Sequence, residues 1–483
     1  MRTKIVCTIG PASENDDTLR QMIRVGMDVA RLNFSHGAHE DHARRLKAIR
    51  QIAAEEKVRV AVMGDLQGPK FRLGKLPDEG VTLTAGQHVF IYAGSPPAVE
   101  GVLLPMPHPE VIEAMQPGRR LLIDDGTFEF VVTRKISGTC VECEVKNGGV
   151  VTSRKGVSLP GAHIDVSSIT PKDREDLRFA IEQGVDVVAL SFVRRAEDIR
   201  ELRWLIREMC PDEEKRPYIL AKIEKPEAVA DIANILKETD IVMVARGDLG
   251  VESTPQDVPF FQKQIIRECL RAGKPVITAT QMLQSMTSAP VPTRAEASDV
   301  ANAVLDGTDA VMMSAETASG QYPIESVKVM QTICARAESD ESMWSDIEIE
   351  ERERDLAKGG GLDDVTKSVT NAAVLMANEI DAAAIVCLTS SGYTARMIAR
   401  HRPPRPIIAL TPKERTCMFT AFTWDVQSFK IDLEQNVEAM VIHAGQLLLD
   451  KGVAKKGQRV VFVAGVPLGR GRGTTNLLQV QTL

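Results

Sequence analysis

The feature that most constrains the fold is a pattern that recurs along most of the chain. A short run rich in Val, Ile, Ala and Met is followed by a polar or glycine-containing end and then by an amphipathic segment. Gly26, Gly184 and Gly273 lie where such segments should end as helices. Apolar strands that alternate with helices are typical of a parallel sheet covered on both faces. Eight such runs predict a (β/α)₈ barrel. They begin at Thr3, Met27, Val58, Val185, Pro217, Asp240, Lys274 and Asp309.

The spacing between runs is even except between the third and the fourth, where residues 68–166 intervene. This insert alternates apolar and polar residues with period two, as in VTLTAGQHVFIY and TFEFVVTRK, between glycine-rich turns. The alternation predicts a small all-β domain. An insert at the catalytic rim of a barrel is well placed to act as a lid. We therefore expect a barrel domain of residues 1–67 and 167–342 and a β lid of residues 68–166.

A second α/β unit follows the barrel. The acidic stretch SDIEIEERERDLAKGGG is typical of a solvated linker. From about Asp363 onward, helical segments alternate with AAAIVCLT, RPIIALT, VQSFKI and QRVVFVAG. We expect a C-terminal α/β domain within residues 343–483.

Composition argues against several classes of function. A net charge of −7 and a pI near 5.8 argue against a nucleic-acid-binding surface. No apolar run approaches the roughly 20 residues needed to span a bilayer, and the N-terminus MRTKIVCTIG lacks the apolar segment of an export signal. Eight scattered cysteines fit reduced thiols. We expect a cytoplasmic protein without nucleic-acid or membrane partners.

Two motifs resemble metal sites, but their contexts argue against metal binding. Cys140 and Cys143 form a C-x-x-C pair on a predicted strand, where residues three apart point to opposite faces. His36, His39 and His42 are spaced by three residues, but they fall at the start of the helix that follows the second strand. We expect zinc at neither motif.

Polar side chains gather at the carboxyl ends of the predicted barrel strands, where barrel active sites lie. In YILAKIEKPEAV, Lys222 and Glu224 are two apart and point to the same face of a strand. Burying such a pair is costly without compensation, so we expect both to face a shared site. The strand-end residues are Asn33, Ser35, Asp65, Lys222, Glu224, Asp248, Thr280 and Glu316.

The carboxylates Glu224 and Asp248, on neighbouring strands, match the needs of Mg²⁺, which binds few protein carboxylates together with substrate oxygens and water. Gly247 would let an anion approach backbone N–H groups. Lys222, Arg31 and Arg72 would bind anionic oxygens. Cations and Mg²⁺ around one cavity predict phosphoryl transfer.

Longer motifs resemble the pyruvate kinase family. These are ARLNFSHG, LAKIEKPEAV, MVARGDLGVE, ITATQMLQSM and PTRAEASDVANAVLDGTDAVMMSAETASGQYP. The resemblance covers essentially the whole chain in order, including the inserted lid and the C-terminal domain. It implies transfer of a phosphoryl group from phosphoenolpyruvate to ADP, giving pyruvate and ATP.

The resemblance also implies roles for individual residues. Lys222 and Arg31 would contact the phosphoryl group, and Glu224 and Asp248 would hold Mg²⁺, with Mn²⁺ as an alternative. Gly247, Asp248 and Thr280 would bind the substrate carboxylate and the metal side. Thr280 and Ser314 are candidates for ordering the water that protonates enolpyruvate. The residues on the nucleotide side would be Asn33, His36, Arg72 and Lys155.

One stretch departs from the family pattern. Many members read DTKGPEIR and bind a monovalent cation near the Asp and Thr, whereas this chain reads DLQGPKFR. Leu66 lacks a ligating hydroxyl, and Lys70 replaces a glutamate. The Lys70 ammonium, near Asn33, Ser35 and Asp65, would supply the charge that K⁺ supplies elsewhere. We expect activity that does not require K⁺.

The C-terminal domain contains a hydroxyl-rich turn before a helix, CLTSSGYTARM. In the family, the corresponding loop binds a phosphorylated effector. Tyr393 stands where fructose-bisphosphate-activated forms often have Arg, which favours AMP or a sugar monophosphate. Arg470 and Arg472 would close over the ligand, and the resemblance implies a homotetramer. The expected effector residues are Thr389, Ser390, Ser391, Gly392 and Thr394.

Two other classes of function remain compatible with the residue chemistry alone. An Mg²⁺-dependent oxo-acid aldolase on the same barrel would also use a Glu and an Asp to stabilise a pyruvate enolate. A non-catalytic sensor would bind metabolites in its C-terminal domain and use the barrel as a scaffold. The β insert with Arg72 and Lys155 favours a kinase over the aldolase. The intact strand-end set around Lys222 argues against the sensor.

Overall fold

The computed structural model describes residues 2–162, 164, 166–339, 363–432, 434, 436–467 and 474–483. The expected linker after residue 342 and the expected anion-binding Arg470 and Arg472 lie outside these described residues. No helix in the described ranges is both long and apolar enough to cross a membrane.

Within the described residues, eight parallel strands close into a barrel in the order β1-β16-β15-β14-β13-β12-β3-β2. Each predicted apolar run contains one of these strands, so the barrel prediction is confirmed. The strands are β1 (Lys4–Thr8), β2 (Val29–Asn33), β3 (Ala61–Asp65), β12 (Val187–Val193), β13 (Tyr218–Ile223), β14 (Ile241–Ala245), β15 (Val276–Ala279) and β16 (Ala310–Met313).

Helices surround the barrel, and their ends follow local sequence signals. A helix beginning at Pro171 has a capping box in which Thr170 and Asp173 bond each other's backbone N–H groups. Gly26 and Gly273 cap helices with positive φ, as predicted. The helices are α1 (Asp16–Val25), α2 (His39–Glu55), α4 (Pro171–Glu182), α5 (Ala196–Met209), α6 (Pro226–Ala230), α7 (Ile232–Glu238), α8 (Arg246–Glu252), α9 (Val258–Ala272), α10 (Arg294–Leu305), α11 (Ala315–Ala318) and α12 (Pro323–Glu338).

The insert forms a β unit with its own apolar core. A six-stranded sheet has the order β11-β7-β8-β9-β5-β6, and β10 pairs with β4. One short helix, α3, makes the insert less purely β than predicted. Cys143 belongs to the core of the insert whereas Cys140 does not, as expected for opposite faces of a strand. The elements are β4 (Val81–Leu83), β5 (His88–Tyr92), β6 (Val102–Pro105), α3 (Pro109–Ala114), β7 (Arg120–Ile123), β8 (Phe128–Ser137), β9 (Cys140–Val145), β10 (Gly149–Val151) and β11 (Val157–Ser158).

The described part of the C-terminal region forms a sheet in the order β19-β18-β17-β20-β21. Four of these strands match the predicted runs. The antiparallel edge strand β21 was missed because most of its residues are half-buried or exposed and form no continuous apolar run. The elements are α13 (Asp363–Glu379), β17 (Ile385–Leu388), α14 (Tyr393–Ala399), β18 (Ile407–Thr411), α15 (Glu414–Thr420), β19 (Val426–Lys430), α16 (Val437–Asp450), β20 (Arg459–Gly465) and β21 (Thr475–Thr482).

Candidate active site

The fifth barrel strand brings a lysine and a glutamate to the same side of the barrel mouth. Lys222 lies near the end of β13, and its ammonium is 2.9 Å from Glu224 Oε1. The same ammonium is 3.4 Å from Asp65 Oδ1 and donates to Ser191 Oγ at 2.7 Å. Burial acts to lower the pKa of Lys222, but the Asp65 and Glu224 carboxylates outweigh it and raise that pKa. Lys222 is therefore a fixed cation, suited to stabilising a developing negative charge.

Arg31 is a second buried cation beside the first. Its Nε donates to Asp65 Oδ2 at 2.7 Å, and its Nη1 donates to Thr8 Oγ at 2.9 Å. Burial acts to raise the pKa of Asp65, but Lys222 and Arg31 together hold it below its ordinary value. Asp65 therefore stays ionised and orients both cations.

The carboxylates Glu224 and Asp248 fit a divalent cation. Both line one cavity, and Glu224 Oε2 accepts a hydrogen bond from Phe192 N at 2.6 Å. Burial, reinforced by Asp248, raises the pKa of Glu224 to about 7 despite the opposing charge of Lys222. A divalent cation would relieve this crowding of negative charge. No cluster of three or more His, Cys, Asp or Glu among the described residues offers a fuller cage, and Mg²⁺ needs only one or two carboxylates.

Thr280, which follows β15, has a strained backbone. Its φ is +69°, a conformation that costs a β-branched residue about 1–3 kcal/mol. Its hydroxyl accepts a hydrogen bond from Gly247 N at 2.8 Å and donates to Ala279 O at 2.6 Å. A Cβ at Gly247 would lie 3.5 Å from Thr280 Oγ, so the two strand ends approach closely. Thr280 is thereby joined to the start of helix α8, which carries Asp248.

Most of the predicted site residues converge on one polar cavity of about 190 Å³ at the barrel mouth. The cavity combines cationic, carboxylate and hydroxyl groups, which are the groups needed to bind phosphate and a metal ion. The predicted residues in its wall are Arg31, Asn33, Ser35, His36, Asp65, Lys70, Arg72, Lys222, Glu224 and Asp248.

Other predicted residues lie outside this wall. Lys155, in the insert, forms an ion pair with Asp124 at 3.0 Å. The backbone N–H of Ser314 donates to Glu316 Oε2 at 2.7 Å, and Glu316 Oε1 accepts from Leu283 N at 3.2 Å. Glu316 is fully buried, and both its carboxylate oxygens accept hydrogen bonds from backbone N–H groups. Glu316 therefore has a structural role and does not line the cavity.

Lys70 lies in the cavity wall with a different partner from the one expected. Its ammonium is 3.7 Å from Asp248 Oδ1, while Asn33, Ser35 and Asp65 line the same cavity. Both groups are about one third exposed, so this ion pair is weak. Lys70 therefore adds positive charge next to the carboxylate pair.

Sequence reasoning missed three residues that orient the charged groups. Ser191 accepts from Lys222 and donates to Leu66 O at 2.8 Å, and Phe192, at φ +55°, directs its N–H to Glu224. Thr8 holds Arg31. Ser191 and Thr8 both lie at the ends of predicted strands, which was the available signal. The turned backbone of Phe192 left no signal in the sequence.

A larger cleft of about 330 Å³ adjoins the cavity between the insert and the barrel. It shares Lys70, Phe192 and Asp248 with the cavity, and apolar side chains of the insert such as Leu159 form part of its wall. The site is therefore open on the side that faces the insert.

The expected effector residues lie in the turn between β17 and α14, except Thr394, which lies in the first turn of α14. Gly392 has φ +73°, and Ser390 and Ser391 are half-buried. Thr389 is buried, and the buried hydroxyl of Thr394 is bonded to Thr475 at 2.9 Å. The two serines therefore offer the more accessible hydroxyl groups of this turn.

Comparison with known proteins gives a consistent result. Residues 1–327 match the model of the pyruvate kinase barrel domain, and residues 367–481 match the model of the pyruvate kinase alpha/beta domain. A pyruvate kinase of Agrobacterium vitis is 46% identical over 99% of this chain and 96% of its own length. One of Geobacillus stearothermophilus is 42% identical over 100% of this chain and 80% of its own. The crystal structure of a pyruvate kinase from Cryptosporidium parvum has a TM-score of 0.91, with 35% identity, and the match covers 100% of this chain and 96% of that one.

Proposed function

This chain belongs to the pyruvate kinase family, and from that premise we propose how its barrel mouth transfers a phosphoryl group from phosphoenolpyruvate to ADP. The family assignment makes the chain a phosphotransferase and replaces the aldolase and sensor interpretations. The observation that carries the proposal is the cavity in which Lys222, Arg31, Glu224 and Asp248 converge.

In the proposed reaction, the Lys222 ammonium and the Arg31 guanidinium bind the phosphoryl oxygens as the bond to the enol oxygen breaks. Asp65 keeps both cations aimed into the cavity, since it contacts each of them. Glu224 and Asp248 would hold Mg²⁺, or Mn²⁺ as an alternative, which supplies charge neutralisation for the phosphate oxygens. The substrate carboxylate would lie towards Gly247, Asp248 and Thr280.

The remaining predicted residues have proposed roles in binding the nucleotide and in protonating enolpyruvate. Thr280 and Ser314 would order the water that protonates enolpyruvate. We also propose that the chain divides into a barrel of residues 1–67 and 167–342, a lid of residues 68–166 and a C-terminal domain of residues 343–483. The nucleotide would bind towards Asn33, His36, Arg72 and Lys155.

The test is formation of pyruvate from phosphoenolpyruvate and ADP with Mg²⁺. Lys222→Met should lower kcat by about a thousandfold or more, because the charge it removes acts in the transition state. Lys75→Met, at an exposed position in the insert, is the control and should leave kcat unchanged. Near-normal turnover by Lys222→Met would overturn the assigned role.

We also propose that turnover does not require K⁺. Support comes from the Lys70 ammonium in the cavity wall with Asn33, Ser35 and Asp65, and from the apolar side chain of Leu66. Turnover should be robust in tetramethylammonium and in K⁺ at equal ionic strength. Stimulation by K⁺ of about tenfold or more, which is ~1.4 kcal/mol in the activation barrier, would contradict the proposal.

For the C-terminal turn, we propose binding of a phosphorylated effector, either AMP or a sugar monophosphate. Support comes from the half-buried Ser390 and Ser391 next to Gly392. Thr389 and Thr394 would complete the site. Isothermal titration with AMP and with glucose 6-phosphate, on wild type and on Ser390→Asp, tests this. If neither ligand binds wild type, the proposal is wrong.

The proposed assembly is a cytoplasmic homotetramer. Two exposed features support self-association: the side chains of Phe260 and Val291, and the open edge strand β21. Light scattering should give about four times the 52.8 kDa chain mass. A monomer at micromolar concentration would contradict this assembly, and fractionation of cells tests the compartment.

A further inference from the structure

Two consecutive residues after β15 have backbone conformations that side chains other than glycine rarely adopt. Thr280 has φ +69° and Gln281 has φ +55°. Such conformations persist only where the surrounding contacts hold them, and they gather at functional sites. The contacts that hold Thr280 therefore bear on its function.

Arg246, the first residue of α8, supplies these contacts. Its Nε donates to Ala279 O at 3.2 Å, and its Nη2 donates to Thr280 O at 2.8 Å. Its Nη1 donates to Asp299 Oδ1 in α10 at 2.7 Å. The side chain is only 11% exposed, so the protein dictates its orientation. A planar guanidinium fixes two neighbouring oxygens at once, which a lysine ammonium does not do.

These hydrogen bonds from Arg246 fix the backbone of Thr280 and so determine which groups the Thr280 hydroxyl can contact. The hydroxyl gives its proton to Ala279 O at 2.6 Å and accepts from Gly247 N at 2.8 Å. A hydroxyl oxygen has two lone pairs, so one remains to accept a hydrogen bond from water. A water that donates one hydrogen to Thr280 has its second hydrogen free for another acceptor.

We propose that Arg246 is a positioning residue for the protonation of enolpyruvate and that it acts through Thr280. After phosphoryl transfer, the electron pair of the enolate double bond takes a proton at C3, and the C2–O bond becomes the carbonyl of pyruvate. The proton comes from the water that Thr280 orders, and the hydroxide left behind takes a proton from the solvent. This inference rests on the proposed role of Thr280 in that step.

The test measures the proton step by itself. Exchange of pyruvate methyl hydrogens with deuterated solvent, followed by NMR in the presence of Mg²⁺, reports the reverse of protonation. Arg246→Met should slow exchange by about 30-fold and lower kcat, with KM for phosphoenolpyruvate within about threefold of wild type. Arg246→Lys should restore only part of the rate. Arg267→Met, at an exposed position in α9, is the matched control and should change neither quantity.

A double-mutant cycle decides whether Arg246 acts through Thr280. In a Thr280→Ala background, Arg246→Met should cost no further exchange activity, whereas independent losses would add and would overturn the proposal. Normal exchange in Arg246→Met with a raised KM would also overturn it. Normal exchange in Thr280→Ala would instead reject the role proposed for Thr280. If Arg246→Met does not fold, Asp299→Asn, which removes the anchor of the guanidinium, is measured in the same way.

Discussion

Lys222, Asp65 and Arg31 form a buried row of alternating charges, and each member depends on the others. Asp65 is 1% exposed and lies between the two cations, so its removal would take away the carboxylate that pairs with Arg31 and leave Lys222 with Glu224. Breaking one member of a buried ion pair commonly costs about 3–5 kcal/mol. We therefore expect residues of this row to affect stability as well as turnover.

Lys70 adds a charge to this site that can be reversed by mutation. Lys70→Glu should lower turnover in tetramethylammonium by about tenfold or more, with recovery in K⁺, because a carboxylate would restore a cation-binding environment. The exposed Lys75→Glu is the control and should show no K⁺ dependence. Loss of turnover in Lys70→Glu that K⁺ does not recover would contradict the role proposed for Lys70.

Asp425 is a buried carboxyl group whose charge destabilises the folded state. Burial raises the pKa of Asp425 to about 6, although Arg2, 3.6 Å away, opposes the shift. The folded state therefore holds this proton more tightly than the unfolded state. The protonated Asp425 therefore contributes to the free energy of unfolding below about pH 4, and this contribution is lost as the pH rises through about 6.

Asp425→Asn should consequently raise the free energy of unfolding at pH 7.5, by about 3 kcal/mol at most, and should change it little near pH 4. Asparagine tolerates the left-handed backbone at this position, where φ is +52°. Asp381→Asn is the matched control, because Asp381 has φ +51° but is exposed. An equal gain at both pH values would contradict the argument.

At the scale of elements, two anchors tie the insert to the barrel. Asp173, in the capping box of α4, accepts from Gly68 N at 3.1 Å where the chain enters the insert. Arg194, after β12, donates to Ile164 O at 3.1 Å and to Val166 O at 2.9 Å where the chain returns. These contacts lie at the two crossings between the barrel and the insert, where the proposed lid would hinge.

Arg194→Met should loosen the chain segment that returns to the barrel at this hinge. We expect amide hydrogen exchange in residues 166–168 to rise by about tenfold, because the carbonyls of Ile164 and Val166 lose the hydrogen bonds that the guanidinium donates. The neighbouring Arg195→Met is the control, since Arg195 is exposed and should leave exchange unchanged. Equal exchange in both variants would show that Arg194 does not anchor the hinge.

At the scale of the whole molecule, the C-terminal domain closes the amino-terminal end of the barrel. Phe419 and Phe422 join the cluster of side chains inside the barrel, opposite the catalytic mouth. Arg402, 4% exposed, donates to Asp309 Oδ1 at 3.0 Å, and the same oxygen accepts from Trp424 N at 3.1 Å. The two domains therefore share apolar and charged contacts.

Arg402→Met should lower the free energy of unfolding by about 3–5 kcal/mol, because it leaves the buried Asp309 carboxylate without its cation. Arg405→Met is the control, since Arg405 pairs with the exposed Asp381 and such surface pairs contribute only about 0–1 kcal/mol. Chemical denaturation monitored by tryptophan fluorescence measures both. A loss in Arg402→Met no larger than in Arg405→Met would contradict a stabilising role for this contact.

Local pattern was sufficient for the architecture. An apolar strand has to be covered on both faces, and alternating helices can cover it only in a parallel arrangement, so eight runs implied a barrel. The direction of those strands placed Lys222, Glu224 and Asp248 at one end, since the carboxyl ends of parallel barrel strands meet there. The edge strand β21 was missed because a partly buried strand of mixed polarity is less distinctive than a buried apolar run.

Closure of the barrel decided the partners of each charge. In the closed barrel, Asp248 pairs with Lys70, and the buried Glu316 accepts hydrogen bonds from backbone N–H groups. Ser191, Thr8 and Arg246 acquired orienting roles only because closure brings neighbouring strand ends within hydrogen-bond distance. The sequence alone determined which side chains lie at the carboxyl ends of the barrel strands, because strand direction and period are local properties. The tertiary structure decided which side chains touch, because contact depends on barrel closure and on backbone turns that no local pattern encodes.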